Sequence, residues 1–149
     1  MLTDYLPAKA VSLNLVSTDK TSVILELIDL LCDVYGLTNK ADIFAAILKR
    51  EEMFSTGVGN GVAIPHAKMH GFATCKLVGG ISSRGIEFDS IDDKPAKIFF
   101  LLVSPINGSG EHVKVLSELS RILNQAIARE ELLSVETEKG FIDVLKKYQ

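Results

Sequence analysis

His66 is the residue of this chain whose setting is best suited to chemistry. It follows a short apolar run, Val62–Ile64, and comes directly after Pro65. Because proline has no N–H and fixes φ, we expect the sheet ladder to end at Pro65 and to leave the imidazole at the mouth of a strand. Three glycines within residues 57–61 precede the run, and their missing side chains would let a phosphoryl group approach the backbone. The segment therefore predicts a reactive imidazole in a site that handles phosphate.

Two further side chains are candidates to assist such an imidazole. Arg50 stands near the end of a predicted helix, and its planar guanidinium can hold phosphate oxygens in a way that lysine cannot. His112 falls in the first turn of another predicted helix. On residue type alone each has an ordinary alternative, a solvated charge for Arg50 and a surface residue for His112.

Other chemistries match the sequence less well. His70 lies four residues after His66, and together they could hold the metal of a hydrolase, but no HExxH pattern is present. The glycines lack the spacing of a dinucleotide-binding loop, and no Lys-Ser/Thr pair completes a Walker loop. No G-x-S-x-G nucleophile elbow occurs. We therefore expect no metal, nucleotide or other cofactor.

Composition indicates an ordinary cytoplasmic protein. The 149 residues, 47% hydrophobic and 23% charged, predict one domain over residues 1–149. A net charge of -3 gives no basic footprint, so nucleic acid is not an expected partner. The longest apolar run, Ile98–Val103, is far shorter than the roughly 20 residues that span a bilayer, and no export signal opens the chain. Cys32 and Cys75 are expected to be buried thiols rather than a disulfide.

Strands and helices must position these side chains. Hydrophobic periodicity predicts a mixed sheet covered by helices on both faces. The predicted strands are Val11–Leu15, Val62–Ile64, Leu77–Ile81 and the central Ile98–Val103, with a polar connection over residues 85–93. The predicted helices are one capped by Ser17 or Thr18 and closed by Gly36, one capped by Asn39, and others over about 109–123, 126–133 and 137–147.

The chain resembles the fructose/mannitol-type IIA domain of the bacterial phosphotransferase system, a group that includes the nitrogen-regulatory IIA proteins. The resemblance rests first on the segment Ser55–His66 and extends over essentially the whole sequence. Further matching segments are Leu2–Leu6, Ala45–Glu51, Phe88–Pro95 and Phe100–Pro105 followed by Glu111-His112. Ala67, where many members have glycine, and the loop over residues 106–110 are departures from the pattern.

The resemblance implies a three-layer α/β/α sandwich with a mixed sheet. It implies that His66 carries a phosphoryl group, on Nε2, accepted from the phosphocarrier protein HPr or a nitrogen-branch relative. Arg50 and His112 match the family's other active-site residues. We expect the arginine and a protonated His112 to offset charge on the transferring oxygens.

The recipient of the phosphoryl group separates the remaining hypotheses. A regulatory role of the nitrogen type is preferred, because residues 59–61 and Lys68 favour it slightly and because the chain ends at Gln149 without a IIB or membrane domain. The alternative is the IIA component of a fructose/mannitol-type sugar uptake system, which passes phosphate to a cysteine or histidine of a IIB domain. A different class of function, a protein-binding module without turnover, stays open.

Overall fold

A mixed sheet of six strands forms the middle of the molecule in the computed structural model, which describes residues 1–108 and 110–149. The strands are β1 Val11–Ser12, β2 Gly57–Gly59, β3 Val62–Ala63, β4 His66–Met69, β5 Lys76–Ile86 and β6 Ala96–Pro105. Their order is β1-β5-β6-β3-β2, and β4 also pairs with β6. The β5–β6 and β2–β3 pairs are antiparallel, whereas β1–β5, β3–β6 and β4–β6 are parallel.

Five α-helices pack on this sheet within the described residues. They are α1 Lys20–Tyr35, α2 Lys40–Met53, α3 Glu111–Leu123, α4 Ala126–Ser134 and α5 Glu138–Tyr148, preceded by 3-10 turns at Leu2–Tyr5 and Ala8–Ala10. Helices α1 and α2 contact each other and the strands β5 and β4, while α3, α4 and α5 form a second group that contacts β6 and β1. The predicted α/β sandwich is confirmed.

The helix ends differ slightly from the predicted ones. Asp19, and neither Ser17 nor Thr18, caps α1 by accepting a hydrogen bond from Ser22 N at 2.9 Å. The hydroxyl of Ser17 instead donates to Glu26 Oε1 at 2.6 Å. Gly36 closes α1 in the left-handed conformation, as predicted. Helix α3 begins at Glu111; Ser109, where the helical pattern starts in the sequence, lies outside the described residues.

The predicted end of the sheet ladder at Pro65 is wrong. Proline lacks a donor but keeps its carbonyl, and Pro65 O accepts a hydrogen bond from Leu102 N at 3.0 Å. The chain then continues as β4, in parallel register with β6, so that His66 pairs with Leu102. Pro65 therefore interrupts one line of strand pairing, and His66 is the first residue of a strand instead of part of a loop.

The other strand boundaries also need correction. Strand β1 stops at Ser12, although Leu15 N still donates to Ile81 O at 3.0 Å. Strand β5 runs on to Ile86, into the predicted polar connection, by way of a register shift after Ile81. The central strand is confirmed, because residues 98–103 of β6 are all buried. Strand β6 positions the site, because β4 with His66 pairs along it and its residue Ser104 contacts His112.

The described helices include none that is both long and apolar enough to cross a membrane. Both cysteines are free thiols. Cys75 is buried as predicted, whereas Cys32 is only half-buried on α1. Burial raises the pKa of each thiol, so both keep their proton at neutral pH.

Candidate functional site

The fold brings the rings of His66 and His112 together. His66 opens β4, which lies beside β6, and the chain leaving β6 returns through the start of α3, where His112 occupies the first turn. The two ring centroids are 5.5 Å apart, and the ring planes are tilted by 57°. Two residues that are 46 positions apart in the sequence thus form one imidazole pair.

His66 has a defined neutral tautomer. Its Nδ1 lies 2.7 Å from the carbonyl oxygen of Ile64. Because a carbonyl only accepts hydrogen bonds, Nδ1 must carry the proton and Nε2 must carry the lone pair. Burial lowers the pKa of His66, and the positive charge of Arg50 lowers it further. Together these two effects outweigh the hydrogen bond to the Ile64 carbonyl and the negative charge of Glu51, which raise the pKa. At neutral pH the ring is therefore uncharged, with Nε2 available as a nucleophile.

His112 is neutral as well. Its Nδ1 lies 2.6 Å from the hydroxyl oxygen of Ser104, a fully buried residue of β6. Burial lowers the pKa of His112 to about 4, with smaller contributions from charge at His66 and Lys68. In the unphosphorylated protein His112 is therefore not the expected cation, because a half-buried imidazole between two potential cations binds a second proton poorly.

Arg50 lies in the last turn of α2 and faces the same cleft. Its Nη1 donates to the carbonyl of Phe54 at 2.9 Å, at the end of that helix. One such bond uses one of five guanidinium N–H donors. The cleft has a volume of about 480 Å³ and is lined by Ala46, Lys49, Arg50, Met53, His66, Ala67, Lys68 and His112. The three residues that the sequence nominated, Arg50, His66 and His112, therefore share one open cavity with two lysines.

His70 does not belong to this cleft. It is exposed in the turn after β4 and lines a different cavity, together with Phe72 and Glu111. The residues that the structure describes contain no group of three or more His, Cys, Asp or Glu side chains arranged to hold a metal ion. The structure thus separates His66 from His70.

The glycines of residues 57–61 are required by the backbone, through a close contact and positive φ values, and do not line the cleft. A side chain at Gly57 would collide with the backbone of Ser90, whose Cα would lie 2.9 Å from the new Cβ. Gly59 and Gly61 have φ values of 92° and 76°, which L side chains rarely adopt. No glycine lines the cleft, and Gly59 lines a separate cavity with Val58 and Asn60.

Sequence reasoning missed a buried carboxylate beneath the site. Glu51, only 7% exposed, accepts hydrogen bonds from both the backbone N and the hydroxyl of Thr56. Lys20 Nζ lies 3.6 Å from the same carboxylate. The Thr56 carbonyl in turn accepts from Ile64 N at 3.0 Å, and Ile64 holds the ring of His66. A continuous path of hydrogen bonds therefore runs from Glu51 to the imidazole.

This network predicts a stability effect. Replacing Glu51 by Gln puts an amide donor against groups that are themselves donors, and we expect the free energy of unfolding to fall by on the order of 2 kcal/mol. Urea unfolding measures it. The matched control is Glu52→Gln, at an exposed position of the same helix, which should change stability by less than about 0.5 kcal/mol. Equal stabilities for the two variants would remove Glu51 from the account.

The lowered histidine pKa values predict a pH effect. Both folded pKa values lie below the ordinary 6.5, so the unfolded chain takes up protons first as the pH falls. The stability contributed by His112 should therefore be complete above pH 6.5 and lost progressively towards its folded pKa of about 4. NMR titration and urea unfolding test this, and His112→Gln should unfold with a shallower pH dependence. Titration of His112 near 6.5 would contradict the described burial.

The comparisons with known proteins agree on one family. Residues 4–148 match the family model for the phosphoenolpyruvate-dependent sugar phosphotransferase system, EIIA 2. The fructose-specific EIIA component of Haloferax volcanii is 37% identical over 139 residues, which are 93% of this chain and 90% of that protein. A nitrogen regulatory protein of Bradyrhizobium diazoefficiens is 32% identical over 129 residues, 86% and 84% of the two chains.

The chain is also similar to part of a longer relative and to two solved structures. The fructose-specific EIIABC component of Bacillus subtilis is 33% identical over 99% of this chain, which spans only 23% of that protein. The crystal structure of nitrogen regulatory protein IIA-Ntr from Neisseria meningitidis has a TM-score of 0.90 and 32% identity, covering 97% and 98% of the two chains. The complex of IIA and phosphorylated IIB for mannitol from Escherichia coli contains a chain with a TM-score of 0.77 and 20% identity, with 95% and 96% coverage. The chain belongs to the EIIA 2 family of the phosphoenolpyruvate-dependent sugar phosphotransferase system.

Proposed function

We propose that this protein is a histidine phosphocarrier that accepts a phosphoryl group on Nε2 of His66. The supporting observation is the hydrogen bond of 2.7 Å between His66 Nδ1 and the Ile64 carbonyl. It commits the proton to Nδ1, so the lone pair of Nε2 is the ring's nucleophile. The donor is a phosphohistidine of HPr or of its nitrogen-branch relative, as the family suggests.

The transfer step needs no base. The N–P bond of the donor breaks, and the donor nitrogen recovers its electron pair. The new N–P bond forms with the lone pair of His66 Nε2, while Nδ1–H stays on the Ile64 carbonyl. The ring of the product carries positive character, which keeps the phosphoryl group labile and ready for the next acceptor. Because the transition state is loose, catalysis depends chiefly on alignment and on charge stabilisation.

The charges of the cleft suit a phosphoryl group. Arg50, Lys49 and Lys68 line the same cavity as the two histidines. Cations placed beside the equatorial oxygens lower the barrier because they need no reorganisation during the reaction. Since His112 is neutral, its contribution is that of a hydrogen-bond donor and not of a fourth cation.

For the recipient, we prefer a regulatory role of the nitrogen type. The IIA-Ntr structure, which matches this chain closely over its whole length, favours that role. The fructose-specific relative of Haloferax volcanii, at 37% identity, favours the alternative, transfer to a IIB domain during sugar uptake. The mannitol complex, in which a chain of the same fold is bound to phosphorylated IIB, supports a IIB domain as the acceptor in this alternative.

Incubation with enzyme I, phosphoenolpyruvate and either HPr or the nitrogen-branch carrier tests the proposal. We expect the intact mass to rise by one phosphoryl group and the label to be acid-labile. A panel of purified IIB proteins then separates the two roles, because only the transport role predicts rapid loss of the label to one of them. An unchanged mass with both carriers would refute the phosphocarrier function.

A further inference from the structure

We propose that Ser104 is a positioning residue that fixes His112 as the tautomer with its proton on Nε2. The buried thiol of Cys75 supports it by donating to the Ser104 hydroxyl. The inference rests on the proposed function for its role in catalysis, although the tautomer itself does not depend on phosphate. It concerns a residue that does not line the cleft and therefore does not touch the transferred group.

The geometry forms a short chain of hydrogen bonds in which Cys75 and Ser104 are buried and His112 reaches the cleft. Cys75 Sγ lies 3.3 Å from Ser104 Oγ, which lies 2.6 Å from His112 Nδ1. Ser104 is 0% and Cys75 only 4% exposed. Strand pairing places them side by side: Ser104 ends the buried part of β6, and Cys75 precedes Lys76, the residue of β5 that pairs with Val103.

The short distance and the available acceptors together favour the hydroxyl as the donor to the ring. Hydroxyl donors make bonds of about 2.5 to 3.0 Å, whereas N–H donors rarely come closer than about 2.7 Å. At 2.6 Å, the contact between Ser104 and His112 fits O–H···N. The opposite arrangement would also direct the serine proton to Cys75 sulfur, which is a much weaker acceptor than an imidazole nitrogen. Burial raises the pKa of Cys75, so its thiol retains a proton to donate to the serine oxygen.

The tautomer of His112 decides whether its Nε2 attracts or repels the oxygens of the transferred phosphoryl group. A neutral ring with Nε2–H is a hydrogen-bond donor to a phosphoryl oxygen, and its ring lies 5.5 Å from that of His66. The other tautomer would present a lone pair at Nε2, which repels the same oxygens. Because His112 binds no second proton at neutral pH, nothing else in the ring could correct a wrong tautomer.

Nitrogen-15 NMR of the unphosphorylated protein tests the inference directly. In the wild type we expect His112 Nδ1 to resonate as an unprotonated nitrogen and Nε2 as a protonated one. Ser104→Ala should mix the two tautomers and slow phosphoryl transfer by about tenfold, the effect of one hydrogen bond. Ser104→Thr, which keeps the hydroxyl, should restore both. Ser82→Ala, at another buried serine that does not line the cleft, is the matched control and should change neither.

Two results would overturn the inference: a proton on Nδ1 of His112 in the wild type, or an unchanged tautomer in Ser104→Ala. Loss of the tautomer without any change in transfer rate would refute the catalytic role of Ser104. The two tautomer results do not depend on whether His66 is phosphorylated, whereas the transfer rate does. Conversely, the protein could have the proton on Nε2 of His112 and still accept no phosphate. That result would refute the phosphocarrier function, but Ser104 would still be the residue that fixes the tautomer.

Discussion

Substituting His66 by glutamine is expected to abolish the acid-labile phosphoryl label entirely. Glutamine keeps a polar side chain of similar reach but offers no nucleophilic nitrogen, because its amide lone pair is delocalised. The neighbouring ring of His112 cannot take over, since its Nδ1 is turned to Ser104 and its Nε2 carries the proton in our account. The measurement is intact mass after incubation with enzyme I, the carrier protein and phosphoenolpyruvate.

The matched control is His70→Gln. His70 is exposed in the turn after β4 and lies outside the cleft, so this variant should be labelled at the wild-type rate. A label that persists in His66→Gln would show that another residue carries the phosphate. A label lost in both variants would point to a general effect on partner binding instead of the chemistry of one ring.

The second large effect is expected at Arg50. Its alanine variant should accept phosphate about 100-fold more slowly, which is typical for removal of one preorganised charge from a transition state. Arg50→Lys should recover only part of the rate, because an ammonium cannot contact two oxygens in one plane. Rapid-quench measurement of single-turnover transfer gives these rates, and His66 should still be labelled fully at long times.

Arg129 provides a control for the helix-end contact of Arg50. Its Nη1 donates to the carbonyl of Leu123 at 2.8 Å, as Arg50 Nη1 donates to that of Phe54 at 2.9 Å. Arg129 does not line the cleft. Arg129→Ala therefore removes a comparable backbone contact and should leave transfer unchanged. Equal rates for wild type and Arg50→Ala would exclude Arg50 from the transition state.

Much of the architecture could be predicted from hydrophobic periodicity. The stripe of α3 and the buried run of β6 are regular enough to identify both elements. Strand β4 was missed because a proline stands before it, and only pairing with β6 shows that the Pro65 carbonyl still accepts a hydrogen bond. The cap of α1 was misplaced because Ser17 is engaged by Glu26, a contact nine residues away that no local pattern reveals.

The residues of the site likewise fall into those that the sequence identifies and those that only the structure reveals. His66, Arg50 and His112 could be nominated from residue type, local context and resemblance, and the structure brings them into one cleft. Ser104 and Glu51 could not be nominated, because serine and glutamate are common and their importance arises from burial next to particular partners. The protonation state of His112 in the unphosphorylated protein could not be predicted for a related reason: burial sets it, and burial depends on packing across strands.

The most direct test of the central claim is phosphorus and nitrogen-15 NMR of the phosphorylated protein with labelled histidine. We expect one phosphorus nucleus covalently bonded to Nε2 of His66. Nδ1 should still carry its proton and donate it in a hydrogen bond to the Ile64 carbonyl. Phosphorus bonded to Nδ1 of His66, or to a nitrogen of any other histidine, would contradict the account.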